Sequence, residues 1–415
     1  MREKTAHIGA GYTGRRWYIL VLLFLVTFIN YFDRQTLGCA IEPISTEFGL
    51  DMGQRGQLLS AFVLTYALSH LFIGFLTDNV RRIKLFFGTL VTGWSLCTVL
   101  VGFVNDYWQL LFLRYALGVF EAVNFPICLM LIARLFPANE RTLASGIFSS
   151  GGFLATLAAP KFTIFFSTNY NWRYAFIISG MLGILWLFFW LCAYRETENH
   201  NIQNSLSFRA WVESISKVFR TPGFWGVTCL GLGLVPCLYF CTQWLPSYFV
   251  HELNQPYDMA LANKLTVVYL FQDLGMWVSG GLVMMLVKRH MPILNSRKMV
   301  IVLGFVLMMS CVFLFFIKQA WLNVMIFAVF IFGLGLCLAN QHSFKQDVLP
   351  GQVATVSALV GFCETLFTSF ILSRVGVAVQ VNGNYSVTIW ILISCAIFSL
   401  VAAIFLLKKK WFNIN

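Results

Sequence analysis

The sequence predicts an all-α membrane protein, twelve transmembrane helices in two six-helix bundles. Three observations predict it. Apolar residues make up 59% of the 415 and charged residues only 11%, against about 25% charge in soluble domains. About twelve apolar runs reach the ~20 residues a helix needs to cross a bilayer. One long hydrophilic stretch divides those runs six and six.

A soluble fold of this composition would expose too much apolar surface to water. That excludes a soluble enzyme, a nucleic-acid binder and a disordered chain. The 11 cysteines are scattered, most of them inside apolar runs, with no CxxC and no Cys/His group at metal spacing. They read as small buried hydrophobes, so neither a metal nor an organic cofactor is expected.

The runs extend over about 17–40, 56–77, 84–104, 107–135, 142–166, 174–194, 223–250, 259–287, 299–317, 321–343, 353–379 and 385–407. Those at 142–166 and 353–379 carry the most polar residues and are the weakest as single straight helices. The first run is too long for a signal-peptide core and has no small-residue cleavage site, so it reads as a retained helix. Pro160, Pro236 and Pro246 predict bends in spans 5 and 7. Trp244 and Tyr248 read as members of an interfacial aromatic belt.

The polar stretch places domains at 1–196 and 222–415, with a cytoplasmic linker at 197–221. Within it, 206–218 can form a surface-lying amphipathic helix; a plain linker fits equally well. Most of the 29 Lys and Arg fall on one side of the predicted spans, among them Arg15, Arg16, Arg134, Arg141, Arg209, Lys217, Lys288, Arg297, Lys345 and Lys408 to Lys410. The positive-inside rule makes that side, with both termini, cytoplasmic. The net charge of +12 is then a matter of topology, not of nucleic acid. The expected setting is the lipid bilayer of a bacterial inner membrane, and a monomer is sufficient.

Ionisable residues at membrane depth are expensive and usually functional. Here they are Asp33 and Arg34 in span 1, Arg114 and Glu121 in span 4, Lys161 in span 5, Asp273 in span 8, and Glu364 and Arg374 in span 11. Arg114 and Glu121 share one helix face, ~10 Å apart along its axis. Asp33, Arg34 and Arg114 fall at similar depth, so the four charges can line one cavity at two levels. A guanidinium stays charged and grips carboxylate in bidentate fashion, which makes Arg34 and Arg114 candidates for holding an anion. A buried carboxylate near an arginine is a candidate proton carrier, which describes Asp33 and Glu121. No partner for Glu121 is visible within one turn.

The loop after span 2 reads Gly74-Phe-Leu-Thr-Asp78-Asn-Val-Arg81-Arg82-Ile-Lys84. It resembles the signature loop of the major facilitator superfamily, GxLxDRxGRR, with Asn79 for the usual Arg and Arg81 for the usual Gly. Gly74, Asp78, Arg81 and Arg82 would latch the two bundles. Tyr31-Phe-Asp33-Arg34 resembles the Y-x-D-R of the anion:cation symporter family within that superfamily. Ser60-Ala-Phe-(x3)-Tyr66, Leu113-Arg114-(x3)-Gly118-(x2)-Glu121, Phe125-Pro126 and Trp172-Arg173-(x2)-Phe176 continue the pattern. Trp244-Leu-Pro246 and Asp273-Leu-Gly275 with Gly280-Gly281 resemble the hexuronate branch.

The resemblance implies proton-coupled symport, as uptake, of a small organic anion such as a sugar acid. Arg34, Tyr66 and Arg114 would bind substrate, and Asp33 and Glu121 would carry the protons. His70, Gly152, Asp273, Gly361 and Glu364 are possible cavity residues. Sugar-acid symporters often have Gln at the place of Gly152 and Asn at the place of Gly361, so this pocket is expected to differ in shape. Glu364 can pair with Arg374 or Lys161, or meet a cationic part of the substrate. Other readings stay open: an exporter of a siderophore or drug-like compound, an importer of a polycarboxylate siderophore, or a membrane receptor that moves nothing. No Ser/His/Asp set or HExxH supports an enzyme.

Overall fold

The computed structural model describes residues 13–80, 82–137, 140–195, 207–349 and 352–412, without the side chains at 13–14, 74, 77–79, 142 and 208. Twelve helices among them are long and apolar enough to span a bilayer: Arg15–Phe48, Met52–Ile73, Ile83–Val101, Tyr107–Leu135, Leu143–Asn169, Trp172–Ala193, Pro222–His251, Met259–Lys288, Ile293–Phe315, Ala320–Val348, Val353–Asn382 and Ser386–Leu406. They are spans 1 to 12 below. Spans 5 and 11 are continuous helices despite their polar content.

Short polar turns set the boundaries. Asp51, Asp106 and Asp258 cap the starts of spans 2, 4 and 8 by accepting a hydrogen bond from the backbone N–H three residues on. Span 1 ends at Gly49, whose φ of +63° is left-handed, and span 11 ends at Gly383, at +67°. Span 1 outruns its predicted end near residue 40. Its outer turns carry Glu42, Pro43 and Glu47, which the hydropathy reading took for a loop. Glu42 is paired with Arg55, and Glu47 is paired with Arg173 at 2.7 Å and accepts a hydrogen bond from Trp172 Nε1, also at 2.7 Å. The polar stretch between the halves contains an α-helix, Phe208–Phe219.

Spans 4 and 7 are each broken at a proline, and span 9 tightens into a 3-10 helix over Met309–Phe315. Span 4 is helical over Tyr107–Glu121 and again over Asn124–Leu135. Pro126 has no N–H for the carbonyl four residues back, that of Ala122, so the break falls directly after Glu121. Span 7 passes from an α-helix into a π-turn at Phe240–Trp244 and back into a helix at Leu245–His251. Pro246 likewise has no N–H for the Thr242 carbonyl four residues back. That carbonyl lies 3.0 Å from where a Cβ on Gly38 would sit, so span 1 approaches closely there only as glycine.

Arg15 Nη2 donates to the Ala193 carbonyl, bringing the start of span 1 and the end of span 6 to one end of the molecule, here the linker end. Among the described residues, the hydrogen bonds joining the two halves lie from mid-span to the opposite, distal end. Ser247 Oγ and His251 bond Glu42, Tyr257 Oη donates to the Cys39 carbonyl at 2.7 Å, and the Gly53 N–H donates to Gln380 at 3.0 Å. Ser369 Oγ donates to the Ser60 carbonyl at 3.0 Å. Spans 2 and 11 meet glycine to glycine: a Cβ on Gly56 would stand 3.2 Å from Gly376 Cα. Small residues let helices approach this way where no hydrophobic force drives them together. The distal end is shut.

Trp244 and Tyr248 are fully buried, and Tyr248 Oη donates to Asn323 at 2.9 Å. They pack within the second half and are not an interfacial belt. The short span 7 helix turns them inward, which linear hydropathy does not register.

Candidate functional site

Span 1 brings Arg34 against the broken point of span 4. Arg34 Nε donates to Glu121 Oε2 at 2.7 Å, and Glu121 is fully buried. The guanidinium sits in an aromatic box: its carbon lies 4.4 Å from the ring centre of Tyr66, 5.0 Å from Tyr31 and 5.4 Å from Phe62. Aromatic faces favour a cation while leaving its outer N–H groups free to donate. Arg114 shares Phe62, at 5.1 Å. It is 1% exposed, and its Nε and Nη2 have no hydrogen-bond partner. Glu121 Oε1 is also unpaired. An unsatisfied guanidinium edge at membrane depth is costly, and a carboxylate on a ligand would satisfy it.

Asp33, next to Arg34, points elsewhere. It is 1% exposed. It accepts from Thr98 of span 3 at 3.3 Å through one oxygen, and its other oxygen is unpaired. It remains within electrostatic reach of Glu121 and Arg114. Consecutive helix positions turn about 100° apart, so the two charges of the pair serve different walls. The partner of Glu121, sought within span 4, lies 87 residues away.

A profile described as Major Facilitator Superfamily matches residues 23–372. The chain belongs to that superfamily. It is a transporter and not an enzyme. It is 28% identical to a protein named D-galactonate transporter of Escherichia coli O6:H1, over 74% of this chain and 75% of that one. It is 25% identical to the hexuronate transporter of Escherichia coli K12, over 89% of each chain. Among solved structures, it superposes on a bacterial homologue of the human lysosomal transporter Spinster, inward-facing and unoccupied, with a TM-score of 0.75 and 17% identity. That match covers 95% of this chain and 97% of the other, and it bears on the fold alone.

The second half of this transporter supplies the opposite wall. Tyr239 of span 7 lies within electrostatic reach of Arg34, Tyr66, Tyr31 and Glu121, and Asp273 of span 8 within reach of Tyr31. Gly152 lies beside Tyr31, whose ring comes to 3.2 Å from where a Cβ would stand. Beyond Gly361 there is nothing within 4 Å. The two positions that lack the family's amides therefore differ: one is filled by an aromatic ring, the other is open.

Glu364 corrects its expected partners. Arg374 is exposed and stacks on Phe370, and Lys161 is exposed. Glu364 instead accepts from Lys345 Nζ at 3.0 Å and from Gln341 Nε2. Lys345, counted above as a loop cation, is 7% exposed. His70 stands edge-on to Tyr66, ring centres 4.4 Å apart, with Nδ1 unpaired. Of the gating-loop residues, Arg81 and the surroundings of Gly74 and of the Asp78 side chain lie outside what the structure describes, and Arg82 is exposed.

Sequence reasoning assigned no role to Tyr31, Phe62, Tyr239 or Lys345. Tyr31 and Phe62 stand inside motifs already quoted, and a cation-binding role for neighbouring aromatics was the available signal. Tyr239 carried none, and Lys345 only its place in the unusual polar run 340–347 that ends span 10, because their positions depend on how spans 7 and 10 pack.

Proposed function

We propose that this transporter takes up a small organic anion, a sugar acid or another carboxylate, together with protons. The observation that supports it most is the Arg34–Glu121 pair beside Arg114, whose Nε and Nη2 are buried and unpartnered. Relatives named for galactonate and hexuronate agree with an anionic substrate.

The substrate carboxylate docks on Arg114 and Arg34, with Tyr66 as its floor. An anion on Arg34 competes with Glu121 for the guanidinium, and Glu121 then takes a proton. Asp33, held by Thr98, is the second proton site. Neutral acids lower the desolvation cost of closing the protein around the substrate. The halves, about 1–196 and 222–415, rock about this site by alternating access. The distal end, shut here through Glu42 and its partners, opens outward, and the linker end faces the cytoplasm. The carrier acts as a monomer in the inner membrane, and Gly74, Asp78, Arg81 and Arg82 latch the linker end in the outward state.

The test is substrate-driven proton uptake. Addition of a bound organic acid to weakly buffered proteoliposomes is expected to raise the external pH. Substrate accumulation with no pH change, or driven by sodium, overturns proton coupling.

A further inference from the structure

We infer that Lys345 is a second anion anchor, and that the preferred substrate carries two acidic groups, one at each end of the site. The inference rests on the function proposed above and adds the substrate class.

Tyr66 and His70 stand one turn apart on span 2, with Arg34 of span 1 against Tyr66. The Arg34 guanidinium carbon lies 4.4 Å from the centre of the Tyr66 ring, and the His70 ring centre lies 4.4 Å from that of Tyr66. Both Arg34 and Lys345 are within electrostatic reach of His70. The row therefore has a fixed cation against Tyr66, the His70 ring edge-on to that tyrosine, and a second cation, contributed by the other half of the protein, within electrostatic reach of His70. His70 Nδ1 is buried without a partner.

Lys345 does not stand there by default. Burying an ammonium is costly unless it is paired. The pairing is built from three spans: Glu364 of span 11, Gln341 one turn before Lys345 in span 10, and Gly231 of span 7. A side chain at Gly231 would collide with both Glu364 and Gln341. An ammonium has three protons to donate, and Glu364 takes one of them. The remaining donors suit a carboxylate arriving from Arg34 past His70. The arrangement repeats the logic of the first half, a cation and an acid paired across two helices.

Binding of matched acids to the detergent-purified protein tests this. The probes are glucarate against gluconate, and α,ω-dicarboxylates of increasing length, each against the monocarboxylate of equal length. In the wild type, one diacid is expected to bind about tenfold or more tighter than its monoacid, the scale of one charge-assisted bond. In Lys345→Gln that ratio is expected to fall to about one. Glu364→Gln removes the competing anion with little change of shape and is expected to raise diacid affinity. Equal binding of every diacid and its monoacid overturns the inference and leaves the proposed function standing. So does a ratio that survives Lys345→Gln. Binding of no carboxylate by the folded wild type overturns both.

Discussion

Arg34 and Glu121 come from different helices, 87 residues apart, and meet at 2.7 Å where span 4 is broken. The pair occupies only one oxygen of Glu121 and one nitrogen of Arg34, so it is a contact a ligand can share or replace. Glu121→Gln keeps the shape and the hydrogen bond while removing the charge. Proteoliposomes with this variant are expected to exchange labelled substrate for unlabelled substrate, but not to accumulate it when a pH gradient is applied. Accumulation driven by that gradient would remove Glu121 from the coupling.

Glu42 closes the distal end by accepting from Arg55 of its own half and from Ser247 and His251 of the other half. Breaking one partner of a buried charged pair costs ~3–5 kcal/mol, so Glu42→Ala is expected to favour the state with the distal end open. Cys39, buried one turn before Glu42 with its carbonyl bonded by Tyr257, reports on that opening. Its modification by a membrane-impermeant maleimide, read by mass spectrometry, is expected to rise several-fold in Glu42→Ala. Unchanged modification would mean that Glu42 does not hold the gate.

The two missing amides predict opposite outcomes. Gly361→Asn places its side chain in open space and is expected to fold normally, with stronger binding of hydroxylated acids. Gly152→Gln drives its side chain into Tyr31 and is expected to destabilise the protein by ~1–3 kcal/mol, as overpacking does. Thermal melting of the two variants separates them. A stable Gly152→Gln would show that the Tyr31 ring is free to move.

The twelve spans were legible because apolar runs of this length have one physical solution in lipid. The acids at a span end were not: hydropathy alone stops span 1 before Glu42, and that turn is buried through partners on spans 2 and 7, Arg55, Ser247 and His251. Arg34, Arg114, Asp33 and Glu121 stood out because charge is rare at such depth. Their pairing did not, because it depends on the break at Pro126 and on the packing of span 1 against it. Lys345 was misplaced for the same reason, since a lysine near a span end reads as a surface cation until its partner on span 11 is known.

The central claim, that a carboxylate docks between Arg34 and Arg114, is tested most directly by ligand-induced stabilisation. Melting of the purified protein is followed with hexuronates, aldonates, aromatic acids, dicarboxylates and carboxylate siderophores, in wild type and Arg114→Ala. A ligand that binds the folded state raises its melting temperature. At least one acid is expected to stabilise the wild type, and in Arg114→Ala its affinity is expected to fall about 100-fold, as when a buried charged contact is truncated. Equal stabilisation of both proteins, or stabilisation by cations and amphiphiles alone, would contradict the account.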